Sequence, residues 1–161
     1  MEHEFAAPAA PVAALLCDAG FHRDLDLPDL SRPEVLDAGS DGTVRRLRLR
    51  YEYLGSLDPV AQRIVGDRRI AWVQELLLDT EQLTGTLTFT AERDAGRLQG
   101  GASVTITSLD GGARSRRRIS GDLRVRVPVV GGTAERRIVP GLVRRLDVEA
   151  AAVSRALDPT G

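Results

Sequence analysis

The sequence predicts an α+β fold with an antiparallel sheet of about seven strands, short helices after the first strand and one long C-terminal helix. Three observations lead to this prediction. Segments in which apolar and polar side chains alternate strictly follow one another through the middle of the chain. Short stretches rich in Asp and Gly (39–42, 94–96 and 110–112) separate several of them, as in hairpins. Helical patterns lie before and after this run of strands, an order typical of α+β rather than α/β proteins.

The N-terminal segment predicts one short strand and two short helices. Glu2–Phe5 has the length of a short strand. Ala9–Leu16 predicts a helix, because Pro8 and Pro11 fall in or near its first turn, where a missing N–H costs least. Phe21–Leu27 predicts a second helical turn.

The clearest strand is Val44–Tyr53. Its apolar residues Leu47, Leu49, Tyr51 and Tyr53 alternate with Arg46, Arg48, Arg50 and Glu52. One face is therefore apolar and the other charged, which is the pattern of an antiparallel sheet that is wetted on one side.

The next strands are predicted from the same alternation. Thr86–Thr90, Ala102–Thr107 and Ile119–Val127 each place apolar side chains on one face. Ile70–Leu78 is less regular, and its even-numbered positions, which include Trp72, Gln74, Leu76 and Leu78, are the more apolar set and are expected to point inward. Asp58–Val65 predicts a short helix before that strand.

The C-terminal segment changes to a helical period. Apolar residues recur every three to four positions at Ile138, Leu142, Leu146, Ala150, Val153 and Leu157. The charged residues expected mostly on the other faces are Arg136, Arg137, Arg144, Arg145, Asp147, Glu149 and Arg155. We therefore expect an amphipathic helix over Thr133–Leu157, with Thr133 as N-cap. Pro140 either kinks this helix or begins its main part.

Composition limits the class of protein. The 161 residues have the length of a single domain, which we expect to span 1–161. Hydrophobic residues make up 42% of the chain and the mean hydropathy is −0.15, values that are ordinary for a soluble globular protein. A net charge of −1 gives no field to attract nucleic acid or an anionic membrane. Only 4% of the residues are aromatic, which is fewer than a module that stacks bases usually has. We expect no nucleic-acid partner, and no feature of the sequence defines an oligomeric state.

Cysteine content and the N-terminus indicate the compartment. The only apolar stretch near the start, Ala6–Cys17, is short and broken by proline, so we expect no secretory signal, no stable membrane anchor and a cytoplasmic location. The single cysteine, Cys17, excludes an internal disulfide and a cysteine-based metal cluster, and its apolar surroundings predict a buried thiol. The sequence has no metal-ligand spacing and no nucleotide or nucleophile motif, so we predict no metal, no cofactor and no assigned catalytic residue.

The order of elements resembles the helix-grip plan of the START-like (SRPBCC) superfamily. The opening segment 2–8 (EHEFAAP) and the segment 125–132 (VRVPVVGG), followed by Glu135, are similar to a branch of unknown function that is common in high-GC bacteria. The resemblance extends over about residues 2–157 and implies a cavity between the sheet and the terminal helix. Such cavities hold lipids, sterols, polyketides or other apolar molecules and sometimes catalyse cyclisation or dehydration. The resemblance transfers no catalytic residue, and Arg117 departs from it, because this strand position is generally apolar.

The candidate ligand-binding residues are those expected on the inward face of the sheet and on the lid side of the terminal helix. They are Tyr51, Tyr53, Trp72, Gln74, Phe89, Ile106, Arg117, Leu142 and Leu146. Arg117 shares the parity of Ile119 and should point inward, either as a rim arginine that reaches water or as a clamp for a ligand carboxylate or enolate. The two tyrosines either pack in the core or orient a ligand through their hydroxyls.

Three functions are open at this point. The first is binding or carriage of an apolar small molecule in the cavity. The second is a cyclase- or dehydratase-like enzyme with Tyr51 or Tyr53 as acid and Arg117 stabilising an enolate. The third is an interaction module that uses the arginines expected on the outer sheet face, among them Arg46, Arg48 and Arg50. A further outward set is Arg114, Arg116, Arg118, Arg124 and Arg126, for which a solvated strand face is the simpler interpretation and contact with RNA or an acidic partner the alternative.

Overall fold

The computed structural model of the chain describes residues 1–56, 59, 69–93, 98–125 and 131–158. Within these ranges there are seven strands and three α-helices. In chain order they are β1 (Glu2–Phe5), α1 (Ala9–Leu16), α2 (Ala19–Arg23), β2 (Glu34–Asp41), β3 (Val44–Glu52), β4 (Ala71–Asp79), β5 (Thr84–Ala91), β6 (Leu98–Leu109), β7 (Arg114–Val125) and α3 (Gly131–Ala156). The predicted helix at 58–65, the predicted turn at 94–96 and part of the segment 125–132 lie outside the described residues.

The seven strands form one antiparallel sheet in the order β1-β7-β6-β5-β4-β3-β2. Strands β2 to β7 pair with their neighbours in sequence, and β1 from the start of the chain adds to the free edge of β7. In that pairing His3 lies opposite Arg117. The predicted α+β class, the strand number and the long C-terminal helix are confirmed.

Several predicted boundaries differ from the structure, and α2 ends at Arg23 rather than at Leu27. Helix α2 begins at Ala19 rather than at Phe21, because the Asp18 side chain caps it by accepting a hydrogen bond from the Phe21 amide at 2.6 Å. The sequence did not delimit β2, whose residues are half-buried or exposed because this edge strand carries little of the core. The β2–β3 turn is consequently tighter than the predicted 39–42, and Gly42 supplies its positive φ of 57°.

One face of the sheet forms the core. The side chains that alternate inward are buried on five successive strands, at Leu47, Leu49, Tyr51, Trp72, Gln74, Leu76, Leu78, Leu87, Phe89, Val104, Ile106 and Ile119. Helix α1 packs against β6 and β7, and α3 packs against β7, β1 and α1. Fully burying an aliphatic or aromatic side chain contributes about 1.5–3 kcal/mol, so this shared interior is the main source of stability.

Helix α3 corrects one expectation. It begins two residues before Thr133 and continues through Pro140. Arg145 and Glu149, expected among the outward charged residues, are only 4% and 3% exposed. The reason lies in helical geometry, because Arg145 follows Leu142 by three residues and Glu149 follows Leu146 by three, which puts both on the buried stripe.

Candidate functional site

Arg117 and Glu149 form an ion pair in the interior, between the sheet and α3. Ser115, Arg117 and Ile119 alternate inward on β7, so the strand directs the Arg117 guanidinium into the core, where it is 2% exposed. Its Nη1 donates to Oε1 of Glu149 at 2.6 Å, and its Nη2 donates to the Leu146 carbonyl oxygen at 3.3 Å. The expected position at a rim, with the guanidinium reaching water, is therefore wrong, because Arg117 finds a buried acceptor in Glu149.

A second buried arginine shares the same carboxylate. Arg145 Nη2 donates to the Tyr51 hydroxyl at 2.9 Å and lies 3.4 Å from Oε2 of Glu149. The Arg145 guanidinium carbon also lies 4.6 Å from the centroid of the Tyr51 ring, within cation–π range. Tyr51 in turn stacks on Trp72 with ring centroids 5.8 Å apart. We call Tyr51, Arg117, Arg145 and Glu149 the buried arginine cluster.

The ionisation states in the buried arginine cluster follow from burial and mutual attraction. Burial alone would raise the pKa of Glu149, but the charges of Arg117 and Arg145 outweigh it and lower the pKa to about 2. Burial likewise opposes the charge of Arg145, and Tyr51 and Glu149 outweigh it and raise the Arg145 pKa. Burial raises the pKa of Tyr51 and keeps its hydroxyl neutral. The cluster therefore holds two cations and one anion.

His3 joins the buried arginine cluster to the surface. Arg117 Nη2 lies 3.2 Å from His3 Nδ1, and His3 Nε2 lies 2.9 Å from Oδ1 of Asp147. A guanidinium only donates, so Nδ1 accepts and Nε2 carries the proton that it donates to the carboxylate. Burial is the main cause that lowers the pKa of His3, and the positive charge of Arg117 also lowers it.

A small cavity of about 20 Å³ lies beside the buried arginine cluster, which is room for one water molecule. Most of its lining is aliphatic, including Leu76, Leu87 and Val104. Its polar lining consists of His22, Gln74, Arg117 and Glu149. This volume is much smaller than the ligand cavity that the resemblance implies between the sheet and α3.

Three of the polar lining residues keep a buried atom without a hydrogen-bond partner in the described part of the chain. These atoms are Nδ1 of His22, Oε1 of Gln74 and Nε of Arg117. His22 Nε2 donates to the Leu16 carbonyl oxygen at 2.9 Å, so Nδ1 is left as an acceptor, and burial, the largest cause, lowers the pKa of this ring. The cavity wall therefore offers two free acceptors and one free donor.

The structure brings some of the predicted ligand-binding residues together and separates others. Gln74 and Arg117 line the cavity, and Tyr51 and Trp72 adjoin it through Arg145 and Glu149. The remaining inward side chains are buried in the same core (Phe89, Ile106 and Leu146) or half-buried against it (Leu142). Tyr53 lies beyond the end of β3, half-buried, and its hydroxyl donates to the Ser56 carbonyl oxygen at 3.3 Å.

Sequence reasoning missed four polar residues of this region: His3, His22, Arg145 and Glu149. The helical stripe on which Arg145 and Glu149 lie was visible in the sequence, and an inward Arg117 required a buried carboxylate. No comparable pattern marked His22 as a buried residue. His3 reaches Arg117 only through the pairing of β1 with β7, which spans more than a hundred residues.

Several of the outward arginines have partners within the chain, and Arg126 lies outside the described residues. Arg46 pairs with Asp37 at 2.5 Å, Arg48 with Glu75 at 3.2 Å and Arg50 with Glu92 at 2.6 Å. Near the other edge of the sheet, Arg114 and Arg116 of β7 both pair with Glu4 of β1, at 2.7 and 2.6 Å. These pairs support the interpretation of a solvated strand face.

Membrane-spanning helices and metal sites are both missing from the described residues. None of the helices in these ranges is both long enough and apolar enough to cross a membrane. No group of three His, Cys, Asp or Glu side chains in the same ranges is arranged to hold a metal ion.

Comparison with solved structures shows the fold. The Zhui aromatase/cyclase from Streptomyces sp. R1128 is similar over 100% of this chain and 96% of its own, with a TM-score of 0.65 and 18% identity. Protein TTHA0849 from Thermus thermophilus is similar over 98% and 94%, with a TM-score of 0.63 and 15% identity. A START superfamily protein from Mycobacterium smegmatis is similar over 100% and 97%, with a TM-score of 0.56 and 13% identity. The chain therefore has the helix-grip fold of the START-like superfamily.

Comparison with curated protein sequences found no match. A family profile described as "Protein of unknown function (DUF2505)" matches residues 1–157, nearly the whole chain. The protein therefore belongs to the DUF2505 family.

Proposed function

We propose that the protein binds a small, mostly apolar molecule that carries a polar group, in the space between the buried face of the sheet and α3. One observation carries the proposal: three residues that line one largely aliphatic cavity each keep a buried polar atom without a partner in the described part of the chain. Native interiors leave few such atoms, since each costs about 1–3 kcal/mol. A ligand whose polar group reaches Gln74, Arg117 or His22 would offset that cost.

The fold supports this proposal. Among the solved structures with the same fold, one is an aromatase/cyclase and another is a START superfamily protein. Ligand sites generally combine apolar walls with a small number of placed polar groups, and the region beside the buried arginine cluster has this composition.

A molecule larger than one water needs more room than this cavity offers. Helix α3 is the element that can yield, because Pro140 removes a backbone hydrogen bond within it. Leu142 and Leu146 follow Pro140 and would lie on the ligand's helix side. The sheet side would be formed by the inward residues Tyr51, Trp72, Phe89 and Ile106, with Tyr53 at the rim.

A fluorescence titration tests the proposal. Trp72 is the only tryptophan, is 8% exposed and stacks on Tyr51, so its emission reports on this region. Decanoate and decan-1-ol serve as probes with a common apolar chain. We expect a saturable change in emission with one-to-one stoichiometry for at least one of them, and native mass spectrometry counts the molecules bound.

Two neighbouring residues on β6 give a matched control. Val104 is buried and lines the cavity, whereas Thr105 points to the other face. Val104→Phe should weaken probe binding at least tenfold, while Thr105→Phe should leave it within about twofold. Absence of saturable binding for both probes in the wild-type protein would overturn the proposal.

The contacts favour binding over the cyclase-like alternative. That alternative needs a tyrosine acid beside an arginine whose charge is available to an enolate. The Tyr51 hydroxyl accepts from Arg145, and Tyr51 is not among the residues that line the cavity. The Tyr53 hydroxyl donates its hydrogen bond to the Ser56 carbonyl oxygen, outside the cavity.

A further inference from the structure

We infer that the polar group accepted beside the buried arginine cluster is an anion, so that the ligand is an amphipathic acid bearing a carboxylate or a comparable oxyanion. This inference rests on the proposed function and names the chemical class of its ligand. Arg117 would contact the anion directly, because it lines the cavity, and Arg145 would add its charge through their common partner, Glu149.

The charges of the buried arginine cluster do not balance among the described residues. Arg117 and Arg145 are both buried, and among the described residues Glu149 is the one carboxylate that pairs with either. Tyr51 is neutral and adds no negative charge. Asp147 is more than half exposed and binds His3 rather than an arginine. Among the described residues the buried arginine cluster therefore holds one more cation than anion, which is costly in a medium of low dielectric.

The unpartnered buried atoms on the two arginines are all hydrogen-bond donors. Arg117 Nε and Arg145 Nε and Nη1 are buried N–H groups without an acceptor in the described part of the chain. Guanidinium groups only donate, so the missing group must accept. A hydroxyl beside Arg117 would leave the excess positive charge, and a cationic head group would add to it. An oxyanion beside Arg117 accepts from its Nε–H and also offsets the excess positive charge of the cluster. The free acceptors on His22 and Gln74 suit a hydroxyl next to the anion.

Three probes of equal chain length separate these cases. Decanoate, decan-1-ol and decylamine are titrated into the wild-type protein at constant ionic strength, with Trp72 emission and calorimetry as readouts. We expect decanoate to bind at least tenfold more tightly than decan-1-ol, and decylamine to bind most weakly.

Adjacent arginines on β7 provide the matched variants. Arg117 points inward to Glu149, whereas Arg116 is partly exposed and pairs with Glu4. Arg117→Met leaves one cation and one anion in the cluster, so the preference for decanoate over decan-1-ol should fall below about threefold. Arg116→Met should leave the preference unchanged. Glu149→Gln removes the anion and should increase the preference.

A measurement on the wild-type protein keeps the test independent of variants that do not fold. The ¹³C resonance of carboxyl-labelled decanoate is followed against pH in the bound state. A carboxylate beside a guanidinium titrates at lower pH than the free acid, whereas one buried in apolar surroundings titrates at higher pH.

The outcomes are distinct. A lowered titration point for bound decanoate, together with the predicted order of affinities, supports the inference. Equal affinity for decanoate and decan-1-ol, or a raised titration point, overturns it and leaves the proposed function standing. Loss of the preference in Arg116→Met but not in Arg117→Met also overturns it, because the anion would then bind at the surface. No binding of any probe overturns both proposals.

Discussion

Arg117 on β7 and Glu149 on α3 are joined by a hydrogen bond of 2.6 Å between Nη1 and Oε1, with both side chains shielded from solvent. The second carboxylate oxygen of Glu149 faces Arg145 on the same helix. A buried ion pair adds little net stability compared with a packed apolar pair, but it disfavours arrangements that leave a charge alone. The Arg117–Glu149 pair therefore links α3 to β7 and disfavours placements of the helix that would leave either charge unpaired.

Glu149→Gln is expected to destabilise the fold strongly. It removes the one carboxylate that pairs with Arg117 and Arg145 among the described residues, and leaves both charges buried. Loss of one partner of a buried pair costs about 3–5 kcal/mol. Urea unfolding followed by circular dichroism measures the difference in free energy.

Two further variants control the Glu149→Gln experiment. Glu4→Gln removes a carboxylate from an exposed pair with Arg116 and should leave the unfolding midpoint nearly unchanged. The double change Arg117→Met with Glu149→Leu should cost less than the sum of the two single changes. If Glu149→Gln unfolds at the wild-type urea concentration, the buried pair does not have the role described.

Tyr51→Phe and Tyr53→Phe are expected to differ although the residues are two positions apart. The Tyr51 hydroxyl accepts from Arg145 in the interior, so its removal leaves another unpartnered N–H on a charged group and costs about 1.5–3 kcal/mol. The Tyr53 hydroxyl makes a long, exposed hydrogen bond to Ser56, so its removal should cost less than about 0.5 kcal/mol. Chemical denaturation of the two variants in parallel measures the difference, and equal losses would contradict the assigned contacts.

Stability is expected to fall as the pH drops below about 6.5, the ordinary pKa of histidine. The pKa values of His3 and His22 are lower in the folded protein than in the unfolded chain, with burial as the main cause in both. Below pH 6.5 the unfolded chain therefore binds protons that the folded protein does not, which favours unfolding until the pH reaches the folded pKa values. Above that range both states hold neutral rings, and this contribution to stability is fully present.

Urea unfolding between about pH 5.5 and 7.5 tests this dependence. His3→Asn keeps an acceptor for Arg117, and His22→Gln keeps a donor for the Leu16 carbonyl oxygen. The double variant should show a flatter profile than the wild-type protein. A wild-type free energy of unfolding that rises as the pH falls toward 5.5 would contradict this prediction.

Cys17 is expected to react slowly with thiol reagents in the folded protein. The side chain is half-buried, and burial raises its pKa to about 11. Since the thiolate is the reactive form, labelling by a disulfide reagent at pH 8 should be at least about tenfold slower than in urea. Equal labelling rates in the folded protein and in urea would show that the thiol is not buried and that its pKa is not raised.

The alternation of side chains was sufficient to predict most of the sheet. Helix α1 has its predicted bounds, and Trp72, Gln74, Leu76 and Leu78 of β4 point inward as expected. Strand β2 could not be delimited, because an exposed edge strand has no strong apolar periodicity.

The candidate site was only partly predictable. The inward direction of Arg117 followed from its parity with Ile119, and burial bears this out. Arg145 and Glu149 were assigned to solvent because isolated charged residues are rarely buried, and their burial depends on pairing with each other and with Arg117. The contact of His3 with Arg117 depends on tertiary strand pairing, which local patterns do not contain.

The most direct test of a ligand site between the sheet and α3 is to locate a bound probe by nuclear Overhauser effects. Methyl-labelled protein saturated with decanoate provides the contacts between probe protons and individual side chains. We expect contacts with the cavity-lining methyl groups of Leu76, Leu87 and Val104. Contacts confined to exposed methyl groups such as those of Leu36 and Leu54 would contradict it.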